Sequence, residues 1–127
     1  MGRVTVYSEG APQPVGPYSQ GIKAGGLVFV SGQIPLDLET GELINGDMKE
    51  QITRTLQSVE SVLKAGDSSL DMAVKITVYL INIDDFSAVN EVFSDYFSEQ
   101  PPAREVVKVS ALPKGAQVEI SAIGLAR

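Results

Sequence analysis

The chain has 127 residues, 43% of them apolar, with neither cysteine nor histidine and a formal net charge of −6 at pH 7. Its length is that of a single domain (residues 1–127). The absence of cysteine and histidine excludes disulfides, thiolate zinc sites, thiol nucleophiles and imidazole bases. Catalysis would therefore rely on carboxylates, Arg, Lys, Tyr, Ser or water. The acidic balance repels a phosphate backbone, and because the ten Lys and Arg residues are scattered along the chain we expect no nucleic-acid partner.

Three β-strands are predicted in the first third of the chain. Val4 and Val6 alternate with polar neighbours, as in a short edge strand, and a Pro- and Gly-rich loop then extends to Pro17. The Gly25-Gly26 pair is typical of a hairpin turn between two further strands. The predicted strands are residues 3–7, 18–24 and 27–30, the last running into Ser31-Gly32-Gln33, and residues 35–46 are predicted to form a loop.

A helix is predicted from about Asp47 to Ala65. Asp47 followed three residues later by Glu50 resembles a capping box, apolar residues then recur at helical spacing, and Gly66 stops the helix. The β-branched segment after it, residues 73–80, is the clearest strand in the chain. It is predicted to place Val74, Ile76, Val78 and Leu80 on one face.

A second helix is predicted after an N-cap at Asp84 or Asp85, and it cannot continue through Pro101-Pro102. Its apolar stripe consists of Phe86, Val89, Phe93, Tyr96 and Phe97. Two strands, residues 104–109 and 117–125, follow and are joined by the turn sequence Leu-Pro-Lys-Gly at 112–115.

The resulting order, βββαβαββ, predicts an α+β fold in which both helices pack on one face of a six-stranded mixed sheet. The uncovered face carries Val and Ile side chains in several strands. We therefore expect copies of the chain to bury that face in a symmetric oligomer.

Arg104 and Glu119 are candidate catalytic residues. Arg104, where a Pro-Pro-Ala segment enters a strand, could bind a carboxylate through two parallel hydrogen bonds, or it could be a solvated arginine in a weak surface ion pair. Glu119, flanked by Val118 and Ile120, could orient a water or accept its proton, or it could face solvent like most strand glutamates. Neither residue alone identifies an enzyme.

Other polar residues could line a ligand site. Asn90 lies on the apolar side of the second helix, where an unpaired amide is costly, so it could cap a loop or face a ligand. Residues 16–20 and 31–33 combine hydrogen-bonding groups with glycines, although such segments are also typical of turns. The glycine spacing matches neither a Walker loop nor a dinucleotide fingerprint, and the paired Asp residues are better explained as caps than as metal ligands. We expect no cofactor and no metal.

Five motifs, in order and with compatible spacing, cover nearly the whole chain. They are Gly-Pro-Tyr-Ser-Gln-Gly at 16–21, Val-Ser-Gly-Gln-Ile-Pro at 30–35, Asp-Phe-Ser-Ala-Val-Asn-Glu at 85–91, Pro-Ala-Arg at 102–104 and Leu-Pro-Lys-Gly-Ala-Gln-Val-Glu-Ile at 112–120. Together they resemble the RidA family of reactive intermediate deaminases, also called the YjgF family.

The resemblance implies a chorismate-mutase-like fold, a homotrimer with ligand sites in the clefts between subunits, and hydrolysis of 2-iminopropanoate and 2-iminobutanoate to 2-oxo acids and ammonia. This activity would protect pyridoxal-phosphate enzymes from 2-aminoacrylate-type products. Arg104 matches the arginine that binds the substrate carboxylate, and Glu119 matches the acid associated with the attacking water. Four further positions match residues that line the same cleft, namely Tyr18, Ser31, Gly32 and Asn90. Because an imine is already electrophilic, its hydrolysis needs anchoring, a positioned water and proton transfer, without metal, cofactor, thiol or imidazole.

The two residues that follow Arg104 depart from the family pattern. Family members often have Ser or Thr directly after the arginine, and some have Cys one position later. Glu105 and Val106 occupy these places here. Strand alternation is expected to put Val106 on the same side as Arg104 and Glu105 on the opposite side. Val106 would remove a polar group from the substrate pocket and leave its backbone available to hold water, so substrate preference is affected more than activity.

Two other functions stay open from the sequence. One is a non-catalytic module that binds 2-oxo acids or other small carboxylates, and the other is a ribonuclease or translation inhibitor, as reported for some relatives, which the acidic charge and the lack of histidine disfavour. No apolar stretch approaches the roughly 18 to 20 residues of a membrane helix, and the N-terminal Met-Gly-Arg-Val-Thr-Val lacks the apolar core of a signal peptide. We therefore expect a cytosolic protein without a membrane partner.

Overall fold

Eight helices and strands follow the predicted order βββαβαββ in the computed structural model, which describes residues 2–127. The strands are β1 (Val4–Val6), β2 (Gly21–Ala24), β3 (Leu27–Gln33), β4 (Ala73–Leu80), β5 (Ala103–Lys108) and β6 (Val118–Leu125), and the helices are α1 (Met48–Ala65) and α2 (Phe86–Tyr96). The predicted strand over 18–24 is shorter than expected, because it begins only at Gly21.

The six strands form one sheet in the order β1-β2-β3-β6-β4-β5. Neighbouring strands are antiparallel except β4 and β5, which are parallel. A parallel pair requires a crossover connection, and α2 with its flanking turns supplies it. The predicted mixed sheet is confirmed, and β5 is an edge strand that follows directly after α2.

The predicted ends of α1 are confirmed. Asp47 is the N-cap, and its Oδ1 accepts a hydrogen bond from the Glu50 backbone N at 2.9 Å while Glu50 Oε1 accepts one from the Asp47 N at 2.9 Å. This reciprocal pair is a capping box. At the other end a Cβ on Gly66 would come within 2.9 Å of the Val28 side chain, so a glycine is needed where α1 passes over β3.

The predicted cap of α2 is wrong in its hydrogen bond. Asp85 occupies the N-cap position, but its side chain makes no capping hydrogen bond. A 3-10 turn over Ile83–Asp85 leads into α2, and Asn82 Oδ1 accepts from the Asp84 N at 3.0 Å at the start of that turn. The side-chain cap is therefore displaced to the beginning of the combined helical segment.

One residue of β4 departs from the predicted alternation. Ile76, Val78 and Leu80 are fully buried, whereas Val74 is 40% exposed. The register between β4 and β6 shifts between Ala73 and Lys75, which is a β-bulge. Such an irregularity interrupts the two-residue period of a strand, and this is why the prediction for Val74 is wrong.

Two of the connecting segments in the N-terminal half contain a defined turn or bridge. Gly25 and Gly26 have φ values of +60° and +79°, the left-handed conformation that a type I′ hairpin turn requires at both central positions, so the predicted hairpin is confirmed. The loop over residues 35–46 contains an isolated antiparallel β-bridge between Leu36 and Leu43, which joins its two ends.

The hydrophobic core lies between the sheet and the two helices, and inward-facing residues of β3, β4 and β6 pack there with both helices in one cluster. The uncovered face of the sheet carries apolar residues that are largely exposed, among them Phe29, Val107 and Leu125. Burial of this face in an oligomer stays a prediction. Among residues 2–127, no helix combines the length and apolar character needed to cross a membrane.

Candidate functional site

The candidate catalytic residues lie on opposite faces of the sheet in one chain. Arg104 of β5 is in register with Ile76 of β4, which points into the core under the helices. Glu119 of β6 is in register with Tyr79 of β4, which is three residues from Ile76 along the strand and so faces the opposite side of the sheet. Because side chains alternate along a strand, Arg104 is on the helix side and Glu119 is on the uncovered side.

Arg104 lies against α2 and beside a cavity of about 290 Å³. Its Nη2 donates a hydrogen bond to Asn90 Oδ1 at 2.8 Å. Its guanidinium carbon lies 5.5 Å from the centre of the Phe86 ring and 5.1 Å from that of Phe93, both within cation–π range. The cavity is lined by Asn90, Phe93, Ser94, Phe97, Pro101, Pro102 and Arg104.

No carboxylate within residues 2–127 forms an ion pair with Arg104. Glu105, the nearest acid in sequence, lies instead with Lys75 Nζ and Thr77 Oγ1, each 3.4 Å from its Oε1. This placement on the other face confirms the alternation expected from the sequence. The weak surface ion pair considered for Arg104 is therefore not formed among residues 2–127, and the guanidinium retains donors for an anion.

Val106 is on the helix side, as expected, but it does not line the cavity beside Arg104. It is half-buried and packs against the hydrophobic core. Its side chain therefore contributes to core packing within the single chain. Its predicted place in the substrate pocket stays a prediction, because it is not among the residues that line the Arg104 cavity.

Glu119 lines a second cavity, of about 170 Å³, together with Tyr18 and Gly32. The Glu119 carboxyl group is half-buried, and this burial raises its pKa above the usual range because desolvation disfavours the charged form. The other residues around this cavity are Pro12, Gln13, Val15, Gln20, Gln33, Ile34, Leu36, Pro113 and Lys114. A carboxyl group whose pKa is shifted toward neutrality can exchange protons with a substrate.

Gly32 is needed for Glu119 to lie where it does. A Cβ built on Gly32 would come within 2.7 Å of the Glu119 Cδ, a distance at which something must shift. The register between β3 and β6 is irregular from Val30 to Gln33, which brings Gly32 beside the Glu119 side chain. The close approach expected at this glycine is thus made by the Glu119 carboxyl group, which lies against the Gly32 backbone.

Ser31 and Tyr18 are held by local hydrogen bonds next to this cavity. Ser31 Oγ donates to the Ser19 carbonyl at 2.6 Å, and the Tyr18 hydroxyl accepts from the Val15 N at 3.4 Å. Tyr18 and Gly32 therefore share the Glu119 cavity and Ser31 adjoins it, whereas Asn90 belongs with Arg104. The six residues that the resemblance implies fall into two groups within one chain.

The structure also shows supporting residues to which the sequence analysis gave no individual role. Gln20 is 1% exposed and makes four hydrogen bonds to the backbone of Ser8, Ala11 and Pro12, of which Pro12 lines the Glu119 cavity. Lys114 lines the same cavity and has a φ of +60°, a conformation uncommon for a residue other than glycine. The aromatic partners of Arg104 were visible only as members of the apolar stripe of α2.

Comparison with known proteins agrees with the motifs. The model of the family described as Endoribonuclease L-PSP matches residues 8–126. A RutC family protein of Pyrococcus abyssi is 49% identical over 123 residues, 97% of each chain. The 2-iminobutanoate/2-iminopropanoate deaminase of Homo sapiens is 37% identical over 123 residues, 97% of this chain and 90% of the human one.

The structural comparison gives the same result. The solved structure of the YjgF gene product of E. coli has a TM-score of 0.91 and 35% sequence identity to this chain, covering 98% of this chain and 99% of that one. The family model and the relatives each span almost the full length. The chain therefore belongs to the family described as Endoribonuclease L-PSP, the RidA or YjgF family that its motifs resemble.

Proposed function

We propose that this chain is a cytosolic enzyme that hydrolyses small 2-imino acids, such as 2-iminopropanoate and 2-iminobutanoate, to 2-oxo acids and ammonia. The observation that carries the proposal is Arg104, a guanidinium oriented by Asn90 beside a cavity and without an anionic partner in the described chain. Such a group binds a carboxylate through two parallel hydrogen bonds. Every 2-imino acid carries that carboxylate next to its reactive carbon.

The chemistry requires one water and two proton transfers. Arg104 holds the carboxylate, and water attacks the electrophilic imine carbon while Glu119 accepts a proton from it. Glu119 passes that proton to the imine nitrogen, which gives a carbinolamine. Glu119 then takes the proton of the carbinolamine hydroxyl and delivers it to the amine nitrogen, so that the C–N bond breaks and ammonia leaves as the carbonyl forms. A glutamate whose pKa is raised by burial is suited to both transfers, because its acid and base forms lie closer in energy near neutral pH.

Arg104 and Glu119 point to opposite faces of one sheet, so they meet only if they come from two copies of the chain. We therefore propose a homotrimer in which the Arg104 cavity of one subunit adjoins the Glu119 cavity of the next. The exposed apolar residues of the uncovered sheet face supply a surface for that assembly. The name of the human relative, 2-iminobutanoate/2-iminopropanoate deaminase, supports the same reaction class.

The test is a coupled assay in which a pyridoxal-phosphate lyase generates 2-iminopropanoate and ammonia release is followed with and without this protein. We expect the wild-type chain to accelerate release and Arg104→Ala to lower kcat/KM by about 100-fold or more, since two charge-assisted hydrogen bonds are lost. Arg3→Ala removes an exposed arginine elsewhere and is the matched control. Unchanged release by a folded Arg104→Ala variant would remove Arg104 from the mechanism.

Two other outcomes would select other functions. If 2-oxobutanoate binds in calorimetry but imine hydrolysis is not accelerated, the chain is a carboxylate-binding module. The description of the matching family, Endoribonuclease L-PSP, calls for a ribonuclease assay as well. RNA cleavage that is lost with Arg104→Ala would contradict the proposal, whereas the net charge of −6 leads us to expect none.

A further inference from the structure

We propose that Phe86 and Phe93 are positioning residues for Arg104 and hold the plane of its guanidinium group in the orientation that receives a substrate carboxylate. The kinetic part of this inference rests on the proposed function. The geometric part, that the two rings fix the guanidinium, can be tested without any substrate.

The three partners of Arg104 form a single stripe on α2. Phe86, Asn90 and Phe93 are spaced at i, i+4 and i+7, which places them one above another on the same helix face. The guanidinium carbon lies 5.5 Å from the Phe86 ring centre and 5.1 Å from the Phe93 ring centre, so both rings are within cation–π range of the same group.

Asn90 binds the edge of the guanidinium through a hydrogen bond, in addition to the two aromatic contacts. A guanidinium group has donors and no acceptor, so the amide oxygen of Asn90 must be the atom that faces it. The hydrogen bond from Arg104 Nη2 to Asn90 Oδ1 is 2.8 Å long and uses only the oxygen of the amide, and the amide nitrogen of Asn90 has no hydrogen-bond partner among residues 2–127. The nitrogen therefore remains available as a further donor to a bound anion.

An oriented guanidinium should bind a carboxylate better than a mobile one. A free arginine side chain samples many rotamers, and binding in a two-bond geometry would have to restrict them. Where packing has already restricted them, less entropy is lost when the ligand arrives. The aromatic contacts thus contribute to substrate affinity even though neither ring is placed on the reacting atoms.

The two rings differ in burial, and this makes Phe86 the better test. Phe93 is 7% exposed and belongs to the hydrophobic core, so its replacement would also disturb packing. Phe86 is 41% exposed and starts α2. Phe86→Leu keeps an apolar side chain there and removes the aromatic face, whereas Phe86→Tyr keeps that face.

The experiment measures kcat and KM for 2-iminopropanoate in the coupled assay for the wild-type chain, Phe86→Leu and Phe86→Tyr. We expect Phe86→Leu to raise KM about 3- to 10-fold with little change in kcat, because a cation–π contact of this size is lost from ground-state and transition-state binding alike. Phe86→Tyr should restore KM to within about twofold of the wild type. Ile83→Ala removes an exposed apolar side chain next to α2 that is not a hydrogen-bond or cation–π partner of Arg104, and it should leave KM unchanged.

A second measurement reads the geometry directly. The Nε–H resonance of Arg104 in a ¹⁵N-labelled sample, assigned by its loss in Arg104→Ala, should shift in Phe86→Leu and not in Ile83→Ala, because aromatic rings displace the resonances of nearby protons. An unchanged resonance together with an unchanged KM in Phe86→Leu would overturn the inference. Failure of Phe86→Tyr to restore KM would also overturn it, since the aromatic face would then be irrelevant. If the wild-type chain itself hydrolyses no imine, the proposed function fails and the resonance alone decides the positioning role.

Discussion

Glu119 combines two features that are unusual for a glutamate on a strand. It is half-buried beside the Gly32 backbone, and no Lys or Arg of residues 2–127 forms an ion pair with it. Desolvation is the cause of its raised pKa. The protein retains an acidic group where a neutral one would be more stable, which is the pattern expected of a residue kept for chemistry.

The raised pKa of Glu119 predicts a pH-dependent stability. Below the ordinary glutamate pKa of about 4.3 the residue is protonated in both the folded and the unfolded chain, so folding buries no charge there. As the pH rises through the raised pKa of the folded state, the buried group ionises and the folded state loses stability relative to the unfolded one. We therefore expect Glu119→Gln to raise the free energy of unfolding at pH 8 and to have little effect near pH 4.

Urea unfolding of both proteins at several pH values measures this difference. Glu39→Gln, which removes an exposed carboxylate from a loop, controls for the loss of one negative charge in this acidic chain. A Glu119→Gln variant whose advantage is the same at pH 4 and pH 8 would show that the desolvation of Glu119 is not significant in solution.

At the scale of elements, the connections bring the candidate site together. The crossover from β4 through α2 to β5 makes the strand that carries Arg104 a neighbour of the helix that carries Asn90. On the other side of the sheet, the loop before β2 becomes the wall of the Glu119 cavity because Gln20 binds it. Gln20 Oε1 accepts from the Ser8 N, and its Nε2 lies within 3.2 Å of the carbonyls of Ser8, Ala11 and Pro12.

Gln20→Ala should therefore destabilise the loop and the protein. The substitution leaves one backbone N–H and three carbonyls without their partner in a largely buried setting, and we expect a loss of about 2–3 kcal/mol in the free energy of unfolding. Urea denaturation gives this value, and hydrogen exchange at the Ser8 amide reports whether the loop opens locally. Gln57→Ala on the exposed side of α1 is the matched control and should cost less than about 0.5 kcal/mol. A Gln20→Ala variant as stable as this control would show that the four hydrogen bonds do not hold the loop.

At the scale of the whole molecule, the uncovered sheet face predicts self-association. Phe29 and Leu125 are exposed there on neighbouring strands, and a monomer would leave this apolar surface in water. We expect sedimentation equilibrium to give three times the chain mass of 13.5 kDa. The double variant Phe29→Lys, Leu125→Lys should dissociate the assembly, because three subunits would bring like charges together.

Activity should be lost when the assembly dissociates, since Arg104 and Glu119 meet only across subunits in the proposed mechanism. The control is the double variant Val4→Lys, Leu38→Lys, which introduces the same charges at exposed apolar positions of β1 and of the loop over residues 35–46. Circular dichroism verifies that both variants remain folded. A wild-type chain that sediments as a monomer and still hydrolyses imines would contradict the assembly and the shared site together.

The order and type of the elements could be read from the sequence because their signals are local. The capping box at Asp47 and the Gly25-Gly26 turn depend on neighbours within a few residues, and the structure confirms both. The prediction for Val74 was wrong because a bulge changed the strand period, and Asp85 is the predicted N-cap but makes no capping hydrogen bond because a 3-10 turn precedes α2. Such irregularities depend on pairing with another strand or on the next element, which periodicity does not contain.

The sequence by itself determined the α+β order, the acidic character of the chain and, through its motifs, the residues to examine. Only the tertiary structure decided that Arg104 lies within cation–π range of two rings of α2, that Gly32 makes room for Glu119, and that these two parts of the candidate site face opposite sides of the sheet. The physical reason is that the face a side chain occupies depends on strand register and crossover connections, which join residues far apart in the chain.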